Sequence, residues 1–119
     1  MERLNKEVNS SKIQIKNLRK IFHSRFREPL LALDDVSFNV GEGKFCCIVG
    51  PSGCRKSTIL RILAGLETPT SGQVDITDNG SGKMLSAMVF QENSIFPWMN
   101  VWKNVAYGLQ VRGESASTI

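Results

Sequence analysis

An apolar run, Phe45-Cys46-Cys47-Ile48-Val49, leads straight into Gly50-Pro51-Ser52-Gly53-Cys54-Arg55-Lys56-Ser57, and a helical pattern follows at once. That succession limits the folds open to the chain more than any other feature. A short continuous apolar run fits a strand buried on both faces. Beyond the loop, Ile59, Ile62, Leu63 and Leu66 recur at the spacing of one buried helix face, which predicts a helix over about Lys56 to Gly65. Strand, glycine-bearing loop and helix in immediate order make an anion cradle, because a helix N-terminus leaves backbone amides without partners and its dipole adds about half a positive charge there.

The octet follows the phosphate-loop pattern G-x-x-x-x-G-K-[ST] except at one place, where Arg55 stands for the second glycine. Gly50 and Gly53 let the loop turn tightly and bring amides close to an anion. Lys56 supplies a point charge for terminal phosphates, the Ser57 hydroxyl suits a Mg²⁺ shell, and Thr58 adds a hydroxyl beside it. Arg55 is expected to hinder binding. In a glycine-only backbone conformation it would cost about 1 to 3 kcal/mol, and its bulk would enter phosphate space, although a guanidinium is also a strong phosphate partner.

The remaining elements are shorter readings. Approximate alternation of Ile13, Ile15 and Leu18 predicts a half-buried strand over about Lys12 to Leu18, His23 to Glu28 a loop, and Val36, Phe38 and Val40 a second, antiparallel strand within Pro29 to Val40. Gly41-Glu42-Gly43 turns the chain. Further strands are expected at Gln73 to Thr77 and Ser86 to Phe90, with a loop from Asp78 to Lys83 between them. Val101, Val105, Ala106 and Leu109 mark a second helix. Residues 1–11 read as a polar leader, 12–112 as one partial domain and 113–119 as a polar tail.

Composition excludes several function classes. With 119 residues, 41% of them hydrophobic and 22% charged, the chain suits one modest globular domain. A net charge of +4 is a mild bias; Lys16, Arg19, Lys20, Arg25 and Arg27 lack the density and aromatic interleaving of a nucleic-acid surface and read as a solvated face. Cys46, Cys47 and Cys54 have no metal-ligand spacing, and neighbouring cysteines do not meet disulfide geometry, so they read as reduced thiols. No run reaches the roughly 18 to 20 apolar residues of a membrane span, and the polar start has no apolar signal core, which leads to the expectation of a cytoplasmic chain.

The segment GPSGCRKSTILRILAGLETPTSGQV, with ALDDVSFNV before it and VFQENSIFPWMNVWKNVAYGL after it, resembles the Walker A region and flanks of an ABC-transporter ATP-binding subunit. The likeness covers roughly residues 12 to 112, and its downstream part looks most like importers of nitrate, sulfonate and taurine type. It implies an α/β fold, the N-terminal part of a P-loop NTPase domain with a small antiparallel β-subdomain. It also implies ATP and Mg²⁺ as cofactors, and membrane permease subunits and a second ATP-binding subunit as partners at the inner face of the membrane.

By the same resemblance Phe22 is the aromatic residue that stacks on adenine, with Phe26 as the alternative. Gln91, after Met88-Val89-Phe90, is the Q-loop glutamine whose amide oxygen approaches Mg²⁺, and Trp98 and Trp102 face the permease, with core packing of the final helix the equal alternative for Trp102. Residues 50–58 line the phosphates. The chain ends before any counterpart of the family's LSGGQ-type signature, Walker B aspartate, catalytic glutamate or switch histidine; His23 lies too early for that switch. On that basis these residues are expected to bind without hydrolysing. Two other readings stay open at this point: a non-catalytic product of a damaged or truncated gene, and a small partner-binding module.

Overall fold

Ile15 and Leu18 are both fully buried although strict strand alternation would set them on opposite faces. The computed structural model explains how. Strand β1 (Ser11–Phe22) carries an irregularity between Ile15 and Leu18 in its pairing with β2 (Leu30–Gly41), and another between Lys16 and Arg19 in its pairing with β3 (Ser71–Ile76). An extra residue in one strand resets which face its side chains address. The sheet order is β2-β1-β3 and both pairings are antiparallel.

The bulge is built from residues that tolerate the left-handed backbone. Asn17 has φ 48° and Asp35 φ 53°, and the Asn17 amide group donates to Asp35 Oδ1 at 2.7 Å. The Asn17 backbone N–H, freed from the ladder, donates instead to Ser37 Oγ at 2.8 Å. Across the sheet Gly72, at φ +92°, passes so close that a Cβ would stand 2.3 Å from the Asn17 carbonyl oxygen. Short polar side chains and one glycine thus let three strands meet at the kink.

Helix α1 (Arg55–Leu63) lays Ile59 and Ile62 on Ile15, Leu18 and Leu33, and Ile13, Val36, Phe38, Ile48, Leu63 and Val74 pack around them. Its end is a Schellman turn: Gly65, at φ 75°, donates to Ile62 O and Leu66 donates to Arg61 O. Gly65 therefore closes the helix as its sequence position predicts. These elements belong to a compact unit of residues 1–88, and residues 89–119 form a second unit. Description covers residues 11–51, 53, 55–78, 85–92 and 94–119.

The second unit centres on α2 (Val101–Val111). Asn100 caps it by accepting from the Lys103 N–H at 2.9 Å. Asn104 then accepts from the Phe96 N–H at 2.7 Å and donates to the carbonyls of Phe96, Met99 and Asn100, clamping the preceding loop onto the helix. Phe96 meets Trp98 and Tyr107 at ring-centroid distances of 5.2 and 4.7 Å.

Two strand expectations need correction. Residues 45–49 form no strand, and Phe45 and Val49 are 93% and 89% exposed, because a doubly buried strand needs a neighbour on each edge and no described strand pairs with this run. Only Ile48 reaches the core. Residues 86–90 are likewise irregular, for the same lack of a pairing edge. The second helix forms where Val101, Val105, Ala106 and Leu109 mark it; within it Val101 and Val105 are exposed, Ala106 is buried, and Asn104 ties the helix to its loop. Strand β1 runs past its expected end to Phe22 and starts at Ser11, within the supposed leader, whose first ten residues lie outside the described ones. Of the loop expected at Asp78 to Lys83, residues 79–83 also lie outside them.

Gly72→Ala should destabilise the first unit by about 2 to 4 kcal/mol, combining left-handed strain with a backbone clash. Gly108→Ala, with open space around its Cβ position inside α2, should instead stabilise by about 0.5 to 1 kcal/mol. Urea denaturation followed by circular dichroism gives both values.

Candidate phosphate-binding site

The first turn of α1 stands on the sheet with its N-terminal amides beyond the core, because Ile59 and Ile62, one helical turn further on, are the residues held down. Gly50, Pro51 and Gly53 approach that turn from Ile48, the one residue of the preceding run that is anchored. Gly53 has φ 149°, outside what other L-residues readily adopt. Together with Arg55 and Lys56 they line a cavity of about 710 Å³, whose lining also takes in the apolar Leu30, Leu31, Leu33 and Val36 of β2 and Ile59 of α1, and Asp34 of β2, which is paired with Arg19.

Lys56 donates from Nζ to Gly50 O at 2.9 Å and to Pro51 O at 3.2 Å. An ammonium has three donors, so these two bonds hold the loop while leaving one for an anion. Ser57 is exposed at the helix start, as a metal-shell hydroxyl needs to be. Thr58 is placed differently from its neighbours: it is 4% exposed and lies among the inward-facing residues of α1. Ser52 and Cys54 lie outside the described residues.

Arg55 is the first residue of α1. The glycine-only premise behind part of its expected cost is therefore overturned: helical backbone accepts arginine without strain. What remains is bulk and charge at the cavity wall, where Arg55 and Lys56 set two cations side by side. A polyphosphate fits this donor set, through loop amides, helix N-terminus, two cations and an exposed hydroxyl. Among the described residues no group of His, Cys, Asp and Glu could hold a metal ion, so Mg²⁺ fits here only as a companion of bound phosphate with Ser57.

Phe22, half-buried, ends β1 opposite Leu30, which lines the cavity; directly paired residues project to the same sheet face. Phe26 is 94% exposed in the following loop. Gln91 is exposed and belongs to the second unit, as do Trp98 and Trp102, both exposed as well.

Sequence reasoning took Lys20 for part of a solvated face. It is instead buried, donating to Glu67 Oε1 at 2.7 Å and to Thr68 O at 2.7 Å, with its ammonium 5.0 Å from the Phe22 ring centroid. The bulge places it on the core side, two residues after Leu18. The only sequence signal was that parity, visible once the kink is known. The hydrogen bond from Lys20 holds the Glu67 carboxyl below its ordinary value of 4.5, against an opposing push from partial burial.

These features define a P-loop α/β protein in which a small antiparallel sheet carries the phosphate loop and its helix. The chain belongs to the ABC transporter family, whose profile matches residues 33–119. It is 44% identical over 110 residues to the sn-glycerol-3-phosphate import ATP-binding protein UgpC of Rhodopseudomonas palustris (strain HaA2), covering 85% of this chain and 28% of that protein. Against the nitrate import ATP-binding protein NrtD of Synechocystis sp. it is 41% identical over 106 residues, covering 85% of this chain and 38% of the relative. Against the spermidine/putrescine import ATP-binding protein PotA of Bacteroides thetaiotaomicron it is 36% identical over 121 residues, covering 98% and 25%. The chain thus spans well under half the length of each of these curated relatives. Among the described residues no helix is long and apolar enough to cross a membrane.

Glu67 gives a pH prediction with a definite sign. Its folded-state value is depressed, so the folded chain binds fewer protons than the unfolded chain through that range, and the stability it contributes is complete above 4.5 and lost as pH falls through the lower folded value. Urea midpoints should drop below that pH in the wild type, and Glu67→Gln should flatten that part of the profile.

Proposed function

We propose that these residues are the nucleotide-binding part of an ABC import ATP-binding subunit and take ATP with Mg²⁺. The observation that carries the reading is the Lys56 ammonium, bonded to the Gly50 and Pro51 carbonyls at the mouth of a helix N-terminus and beside a cavity lined in part by apolar side chains. Polyphosphate charge is met by Lys56, Arg55 and the loop amides, while Ser57 offers its hydroxyl to the cation and Phe22 its ring to the base. Mg²⁺, when bound, would neutralise phosphate charge and fix the orientation of the β- and γ-oxygens. By the family resemblance Gln91 is the Q-loop glutamine, whose amide oxygen suits a place in that cation's shell.

Coupling to uptake needs partners: permease subunits and a second ATP-binding subunit, with the chain held at the inner membrane face through the permease. Exposed Trp98 and Trp102 support that contact. The relatives' names span glycerol-3-phosphate, nitrate and polyamine import, and the nitrate relative together with the segment FQENSIFPW supports the nitrate, sulfonate and taurine type. In this reading Arg55 lowers nucleotide affinity through its bulk, since loop amides must close to hydrogen-bond distance around the phosphate.

Calorimetric titration of Mg·ATP tests the reading. Lys56→Ala should weaken binding about 10- to 100-fold, the loss of one charge-assisted contact. Arg55→Gly should strengthen it about tenfold if bulk dominates. Weaker binding by Arg55→Gly would make the guanidinium a phosphate ligand instead, and an unchanged affinity for Lys56→Ala would overturn the site.

A further inference from the structure

We propose that Lys20 is a positioning residue for the base-stacking ring: its buried ammonium covers one face of Phe22 and anchors that ring to the exit turn of α1. This rests on Phe22 being the base platform. The Lys20 side chain is only 10% exposed, an expensive place for a cation unless its donors are used. Two of them are used on the segment just past α1, at Glu67 Oε1 and Thr68 O, both at 2.7 Å. The remaining approach is to the Phe22 ring, 5.0 Å from its centroid, within cation–π range.

The anchor is stitched at two more points. Ile21 N donates to Thr70 Oγ1 at 2.9 Å, and Thr70 N donates to Arg19 O at 2.9 Å. Residues 19–22 of β1 therefore move with residues 67–70, and these follow the helix whose first turn carries Lys56. One end of α1 meets phosphate and the other end holds the support of the ring. With one ring face occupied by the ammonium, the opposite face is left for a base, and its distance from the phosphate loop is set by the rigid helix between them. A lysine that served only to satisfy Glu67 would have no reason to lie against the ring.

Binding of Mg·ATP and of Mg·tripolyphosphate, which lacks the base, separates these roles. Titrations use wild type, Lys20→Met, Phe22→Ala and the double variant, each also in an Arg55→Gly background. Phe22→Ala should lose about tenfold in ATP affinity, the order expected for one stacked base. Lys20→Met should lose about five- to tenfold for ATP and less than about twofold for tripolyphosphate, and the double variant should be no weaker than Phe22→Ala. Equal losses on both ligands, or full ATP affinity in Lys20→Met while Phe22→Ala is weakened, overturn the inference and leave the platform standing. Full ATP affinity in Phe22→Ala removes the platform and the inference with it, and an absence of ATP binding in every form defeats the nucleotide reading itself.

Should Lys20→Met fail to fold, Glu67→Gln keeps the shape and loosens the ammonium. A selective loss of ATP affinity of about threefold supports the inference; no loss, or a loss shared by tripolyphosphate, overturns it.

Discussion

The bulge at Lys16 and Asn17 is the constraint on which the first unit depends. Without it, Ile15 and Leu18 would project to opposite sides of the sheet, and α1 would have no continuous apolar surface for Ile59 and Ile62. Two left-handed residues are held across the strand pair by an Asn17–Asp35 hydrogen bond, and Gly72 makes room for the kink on the other side. Burial of such aliphatic side chains stabilises by about 1.5 to 3 kcal/mol each, more than the local backbone strain costs. The core therefore favours the irregular strand over a regular one.

Function follows from where that core stops. Only one face of α1 is pinned, so its first turn projects amides, Lys56 and Ser57 past the sheet while the preceding loop is tethered at Ile48. Lys56 closes the loop on itself through two carbonyls, an arrangement that organises the site ahead of any anion. Preorganised donors spend less of their interaction energy on ordering when phosphate arrives. At the far end of the same helix, Glu67 and Thr68 engage Lys20, and the sheet, helix and ring become one mechanical unit.

Arg55 shows why local pattern and backbone conformation must be separated. A missing glycine in a phosphate loop suggests strain, but position 55 is the first residue of a helix, a conformation arginine takes without a glycine-only penalty. What Arg55 brings to the cavity lining is side-chain bulk and a positive charge. In the proposed site, affinity would be set by steric closure of the loop against an added guanidinium contact to phosphate.

Periodic and punctuating features were legible in the sequence: the apolar face of α1, its stop at Gly65, the alternation of β2, and the succession of loop and helix that marks the phosphate site. These depend on residues close in the chain, where helical and strand periods and glycine geometry operate directly. Three things were decided only by tertiary structure. Residues 45–49 have strand composition yet no pairing edge, Lys20 is basic yet buried, and Val101 and Val105 are apolar yet exposed. In the first two cases the outcome depends on a distant partner, a neighbouring strand or the Glu67 carboxylate 47 residues away; in the third, apolar surface on α2 is left uncovered among the described residues. Local sequence sets what a segment can form; whether its hydrogen bonds and apolar surface find partners is a property of the folded whole.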